Sequence, residues 1–177
     1  ANANFGMITS PNPEGVPVFL RYFLGGILDV RGYRLRTLGP RLPLTATLYP
    51  NGSPSVSAQG WPGANIGGNL QAYSNVEFEF PVLDKVGIRG VAFFDAGNTW
   101  NLENQYCSAA SSSGSLPAVS RPCWNGIQTM ANIRTSVGGG IRWFSPLGPL
   151  RFEWGIPLKR FYSEEPYTFE FTIGNFF

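Results

Sequence analysis

From residue 66 onward, apolar and polar residues alternate with period two over segments of about ten residues, the pattern required of strands that cross a bilayer. In Ile66–Val82 the even positions include Ile66, Leu70, Ala72, Val76, Phe78, Phe80 and Val82, whereas Asn69, Gln71, Tyr73, Asn75, Glu77 and Glu79 are odd. Val86–Trp100 is less regular, with Ile88, Ala92, Phe94 and Ala96 opposing Arg89, Val91, Phe93 and Asp95. Ile133–Phe144 places Ile133, Val137, Ile141 and Trp143 against Arg134, Ser136 and Arg142. Leu150–Leu158 places Leu150, Phe152, Trp154, Ile156 and Leu158 against Arg151, Glu153 and Gly155. In Tyr167–Phe177, Tyr167, Phe169, Phe171, Ile173 and Phe177 share one face, and Thr168, Glu170, Thr172 and Gly174 the other. The alternation thus predicts five strands.

A soluble antiparallel sandwich also alternates, with its apolar face turned inward. Two features favour a membrane barrel. The apolar faces are large and aromatic, with Trp and Tyr near strand ends, as an interfacial girdle needs. The polar faces carry charges of both signs, which a solvated lumen tolerates and a sandwich core does not. The links agree: Pro81–Lys85 and Ser145–Pro149 are short, Lys159–Pro166 is intermediate and Gly97–Asn132 is long. That is the asymmetry of periplasmic turns against extracellular loops, so a periplasmic C-terminus puts Gly97–Asn132, and the Pro-rich stretch before residue 66, outside.

Residues 1–65 show no clean spanning strand. Val16–Leu24 is apolar, but Pro17 would break its ladder and Arg21 interrupts its apolar run. We therefore expect 1–65 to be mainly one long extracellular loop and 66–177 to hold the strands and their links, all within one barrel domain. Five strands cannot close, since about eight is the smallest usual barrel, so the remainder of the barrel is expected elsewhere.

Composition narrows the chemistry. Aromatic residues make up 15% and charged residues only 14%, with Gly 22 and Pro 15, which suits turns and crowded strands better than long helices. A net charge of +2 gives no reason to expect nucleic acid. Histidine is absent, removing the usual general base and the commonest metal ligand, so neither an enzyme nor a cofactor or metal is expected. There is no basic-then-apolar leader and no run of about 20 apolar residues for a spanning helix. Cys107 and Cys123 lie in one Ser/Gly/Pro-rich stretch. They are expected to form a disulfide in an extracytoplasmic compartment, worth on the order of 3 kcal/mol, with two free thiols as the other reading.

Four stretches, in order, resemble the BamA family of outer-membrane barrels. Val30-Arg31-Gly32-Tyr33, preceded by Gly25-Gly26, is similar to the Val-Arg-Gly-aromatic motif of that family's long extracellular loop. Phe93–Trp100 resembles its strand motif around a lumen aspartate, Ser136–Leu158 its penultimate hairpin, and Phe169–Phe177 its C-terminal β-signal. The resemblance covers residues 25–177 and does not reach residues 1–15. It implies a loop folded back into the lumen, where Arg31 pairs with Glu77 and Asp95 on the barrel wall. The face assignment independently puts both acids on the polar side. There, Glu77, Glu79, Asp95, Glu153 and Glu170 outnumber Arg89, Arg134, Arg142 and Arg151 by one, leaving room for an inserted arginine.

The resemblance also implies a function: folding and insertion of β-barrel proteins into the outer membrane. The last strand, with Phe169, Phe171, Ile173, Gly174 and Phe177, would form a lateral seam at which client strands pair by β-augmentation. Expected partners are unfolded outer-membrane β-barrel clients, outer-membrane lipid, accessory assembly lipoproteins and the rest of the barrel. Glu164-Glu165 and Lys159-Arg160 read as solvated loop charges. Competing readings are a two-partner secretion transporter or an envelope import channel on the same barrel, a passive porin, and an outer-membrane hydrolase. The last is disfavoured because no Ser-His pair is possible in this segment.

Overall fold

Six antiparallel strands form one sheet in sequence order: β1 (Asn2–Met7), β2 (Leu70–Leu83), β3 (Ile88–Trp100), β4 (Arg134–Ser145), β5 (Gly148–Pro157) and β6 (Thr168–Ile173). This computed structural model describes residues 1–12, 14–41, 64–103, 133–146, 148–160 and 164–174. β2 to β6 correspond to the five alternating segments to within two residues, except that β2 starts four residues later than its segment and β6 ends before Phe177. β1 corrects both the strand count and the assignment of residues 1–65 to loop. It pairs with β2 from Asn2↔Asn75 to Met7↔Leu70. Its alternation of Ala3, Phe5 and Met7 with Asn2, Asn4 and Gly6 spans six residues, half of them Asn or Gly, which intrinsically disfavour strands. Val16–Leu24 forms a 3-10 turn at Val18–Leu20, followed by single bridges of Tyr22 to Gly68 and Leu24 to Leu38.

The parity of each strand sets the character of the two faces. Outward lie Phe78, Phe94, Trp154, Ile156, Phe169 and Ile173, all exposed. Cross-strand ring contacts tie this face together, Phe152 to Phe171 at 4.9 Å and Trp154 to Phe169 at 5.0 Å. No protein covers this face among the described residues, which suits a sheet whose outer solvent is hydrocarbon. The opposite face is polar yet buried, because residues 16–41 and 64–69 of the β1–β2 connection lie across it. The connection carries its own small core of Leu24, Val30, Tyr33 and Leu38, with Tyr73 of β2 packed beneath.

Strand register then lines up three rows on that polar face. One row pairs Asn75 with Asp95, Asp95 with Ser136 and Ser136 with Pro157. The next runs Glu77, Phe93, Gly138, Gly155 and Thr168. The third runs Glu79, Val91, Gly140, Glu153 and Glu170. Carboxylates thus flank a trough floored by glycines.

Candidate functional site

The trough receives the tip of the connection. Val30-Arg31-Gly32-Tyr33 descends onto β3, β4 and β5, and Arg31 is 2% exposed. Its guanidinium forks onto Asp95, with Nε 2.7 Å from Oδ2 and Nη2 2.7 Å from Oδ1. The Arg31 backbone N–H donates to the same carboxylate at 3.1 Å. Nη1 donates to Glu153 at 3.1 Å and also to Glu77. Beneath, the Phe93 ring centroid lies 3.6 Å from the guanidinium carbon, a close cation–π contact. Burial alone would lower the basicity of this arginine, but Asp95 and Glu153 reverse the effect and raise its pKa above the ordinary value.

The descent depends on missing side chains. A Cβ on Gly155 would lie 2.4 Å from the backbone nitrogen of Gly32 and 2.6 Å from its Cα. Gly32 itself has φ +87°, and a Cβ there would meet Ser136 Cβ at 3.1 Å. Two glycine backbones therefore touch where any other residue would hold the loop off the sheet. A Cβ on Gly138 would come within 2.3 Å of the Phe93 ring, so that glycine makes room for the ring supporting Arg31.

Around this contact the charges interlock. Arg142 reaches Glu77 and Glu153 at 3.0 Å each and pairs with Glu79 as well. Arg151 lies 2.9 Å from Glu153. Asp95, at 0% exposure, has Arg31 as its one ion-pair partner among the described residues. The Tyr33 hydroxyl sits 2.9 Å from the Thr135 carbonyl and 2.8 Å from that of Lys159, donating its single proton to either.

Sequence parity places Arg31's acids Glu77 and Asp95 on one face, and the structure brings all three residues together. Glu153 is a third acid that parity put on that face without identifying it as a partner, since only the β3–β4–β5 register sets it beside Arg31. Glu164, expected to be solvated, is corrected: it is mostly buried, pairs with Arg134 and lies 4.0 Å from Arg41. The cause is convergence of arginines distant in sequence onto the β5–β6 link. Glu165 is exposed, as a solvated loop charge should be, and pairs with the exposed Arg34. Phe169, Phe171 and Ile173 lie on the outward face of β6, away from Arg31. Gly174, at φ +92°, donates its N–H to the Pro149 carbonyl at 2.9 Å. Cys107, Cys123 and Phe177 lie outside the described residues.

The profile of the Omp85 superfamily domain matches residues 1–177. The chain belongs to the Omp85 superfamily. Among curated Omp85 relatives, the outer membrane protein assembly factor BamA of Nitratidesulfovibrio vulgaris is 31% identical over 174 residues, 97% of this chain and 17% of the relative. BamA of Neisseria meningitidis serogroup B is 31% identical over 167 residues, 92% of this chain and 19% of the relative. The chain therefore spans less than a fifth of the length of these two relatives. The crystal structure of BamA from Haemophilus ducreyi lacking POTRA domains 1–3 superposes with a TM-score of 0.62 at 25% identity. It covers 88% of this chain and 27% of that one. The six-stranded sheet accordingly matches part of a BamA barrel.

Proposed function

We propose that this chain is the working end of an outer-membrane factor that folds and inserts other β-barrel proteins. The observation that carries the reading is the buried fork of Arg31 onto Asp95, made by a loop lying on the glycine trough of an Omp85 sheet. A loop anchored to the wall by a buried ion pair suits a barrel that must keep a rigid internal brace while its wall is reshaped. In this reading Arg31 is the brace's anchor and Glu77, Asp95 and Glu153 are its lumen partners. Phe169, Phe171, Ile173, Gly174 and Phe177 form the C-terminal signal and seam strand. Clients pair with the edge of β6 by β-augmentation, so the reaction is exchange of backbone hydrogen bonds, with no covalent step. Partners are unfolded β-barrel clients, outer-membrane lipid, accessory lipoproteins and the rest of the barrel. The C-terminus is periplasmic, and the long connections, with a Cys107–Cys123 bridge, are extracellular.

The test uses the full-length protein in outer-membrane lipid vesicles with an unfolded β-barrel client. The intact protein should convert the client to its heat-modifiable folded form, and Arg31→Ala should impair this conversion while the variant itself still reaches the membrane. Client folding no faster than in empty vesicles, alongside export of a soluble substrate, would overturn the reading in favour of a secretion transporter.

A further inference from the structure

A second buried arginine, Arg21, sits at the root of the same connection. Arg21 follows directly on the apolar 3-10 turn Val18–Leu20, and its side chain is 0% exposed. Nε donates to the Val16 carbonyl at 3.0 Å, Nη1 to Asn101 Oδ1 at 2.9 Å and Nη2 to Glu103 Oε2 at 2.9 Å. The same Glu103 oxygen accepts the Val16 backbone N–H at 2.9 Å. Asn101 Nδ2 donates to the Glu103 carbonyl at 2.6 Å, holding that turn in shape. Asn69, 2% exposed, completes the knot. Its Oδ1 accepts the Leu102 N–H at 2.7 Å, and its carbonyl accepts the Ile8 N–H at 2.8 Å.

These bonds tie together four points far apart in the chain: the residue leaving β1, the apolar turn, the residue entering β2 and the residues leaving β3. Among the described residues no backbone ladder links the turn to Asn101–Glu103, and side chains make the link. A buried guanidinium with three directed acceptors fixes orientation as well as distance. We propose that Arg21 is a positioning residue, a latch that makes the root of the arginine-anchored connection and the chain leaving β3 move as one unit, independently of Arg31 at the tip. The inference rests on the docked-loop geometry and not on what the barrel inserts.

The test is site-resolved amide exchange in the full-length protein in lipid, read at Val16 and Leu102 for the root and at Arg31 for the tip. Arg21→Ala should speed exchange at Val16 and Leu102 together by about tenfold or more, with Arg31 still protected. Glu103→Gln keeps the shape and removes the charge, so it should reproduce that pattern even if Arg21→Ala fails to fold. Arg31→Ala should expose the tip and leave the root protected. No change at the root in Glu103→Gln, acceleration at only one of the two root amides, or equal opening of root and tip would overturn the latch. Because exchange is read without a client, it is independent of whether the insertion assay succeeds.

Discussion

Arg31 and Arg34 are three residues apart on one loop and each holds a carboxylate of the sheet or its links, yet they differ in almost every physical respect. The Arg31 side chain is 2% exposed and meets Asp95 at 0% and Glu153 at 1%. The Arg34 side chain is 69% exposed and meets Glu165 at 45%. A surface pair is screened by water and salt and contributes little. A buried charge that loses its partner leaves the other charge desolvated and uncompensated. The geometry of a contact is therefore a poor guide to its importance unless burial is read with it. By this measure the loop is held at its tip, and the outer clamp only trims its position.

The largest expected effect follows from emptying the buried end. Arg31→Ala strands Asp95 and should weaken docking by about 3–5 kcal/mol, read as faster protease cleavage of the loop in the full-length protein. Arg31→Lys should recover little of this, since an ammonium cannot fork to Asp95 while also reaching Glu153. Next in size is Gly155→Ala, which keeps every charge. Its methyl would collide with Gly32 backbone, and a loss of about 1–3 kcal/mol in the same assay is expected from overpacking. If Gly155→Ala leaves the loop as protected as before, the glycine contact is incidental and the charges alone hold it.

Asp29 offers a smaller and signed effect. Burial pushes its carboxyl from 3.8 up to about 6, so the docked loop binds a proton more readily than the released one. Its contribution is therefore fullest below about pH 4 and is lost as pH rises through 6. Loop protection measured from pH 4 to 8 should carry this falling component, and Asp29→Asn should remove it. A profile identical in the two proteins would show that Asp29 does not titrate with docking. Smallest of all is Arg34→Ala, for which loop protection at physiological salt should be unchanged within error. A loss comparable to that of Arg31→Ala would invert the comparison between the two arginines.

Much of the sheet was legible because lipid-facing strands must be long and must alternate large apolar with polar residues. Val76, Phe78 and Phe80 against Glu77 and Glu79 leave no doubt about parity, and parity alone puts Glu77, Asp95 and Glu153 on one face. What parity does not carry is register between strands, and register decides that Glu153 stands across from Gly140, within reach of Arg31. β1 stayed hidden because six residues, half of them asparagine or glycine, give a weak alternation, which pairing with β2 overrides. Glu164 looks solvated in the sequence because its arginine lies 30 residues away. In the sequence Arg21 is an interruption of an apolar run, although a charge set in such a run is itself a sign of a buried partner. Gly155 gave no signal in one dimension, since its role exists only once Gly32 is laid upon it.

The central claim is that Arg31 holds the loop on the polar face of the sheet, and a disulfide trap tests it most directly. The Asn75 amide donates to the Asp29 carbonyl at 2.5 Å, and Asn75 pairs in register with Asp95. Asp29→Cys with Asn75→Cys therefore places one thiol two residues before Arg31, on the backbone that meets Asn75, and the other across from Asp95. In intact outer membranes this pair should crosslink rapidly under mild oxidation when Arg31 is present, and much more slowly in Arg31→Ala. Failure to crosslink with Arg31 in place, or crosslinking equally fast without it, would contradict the account.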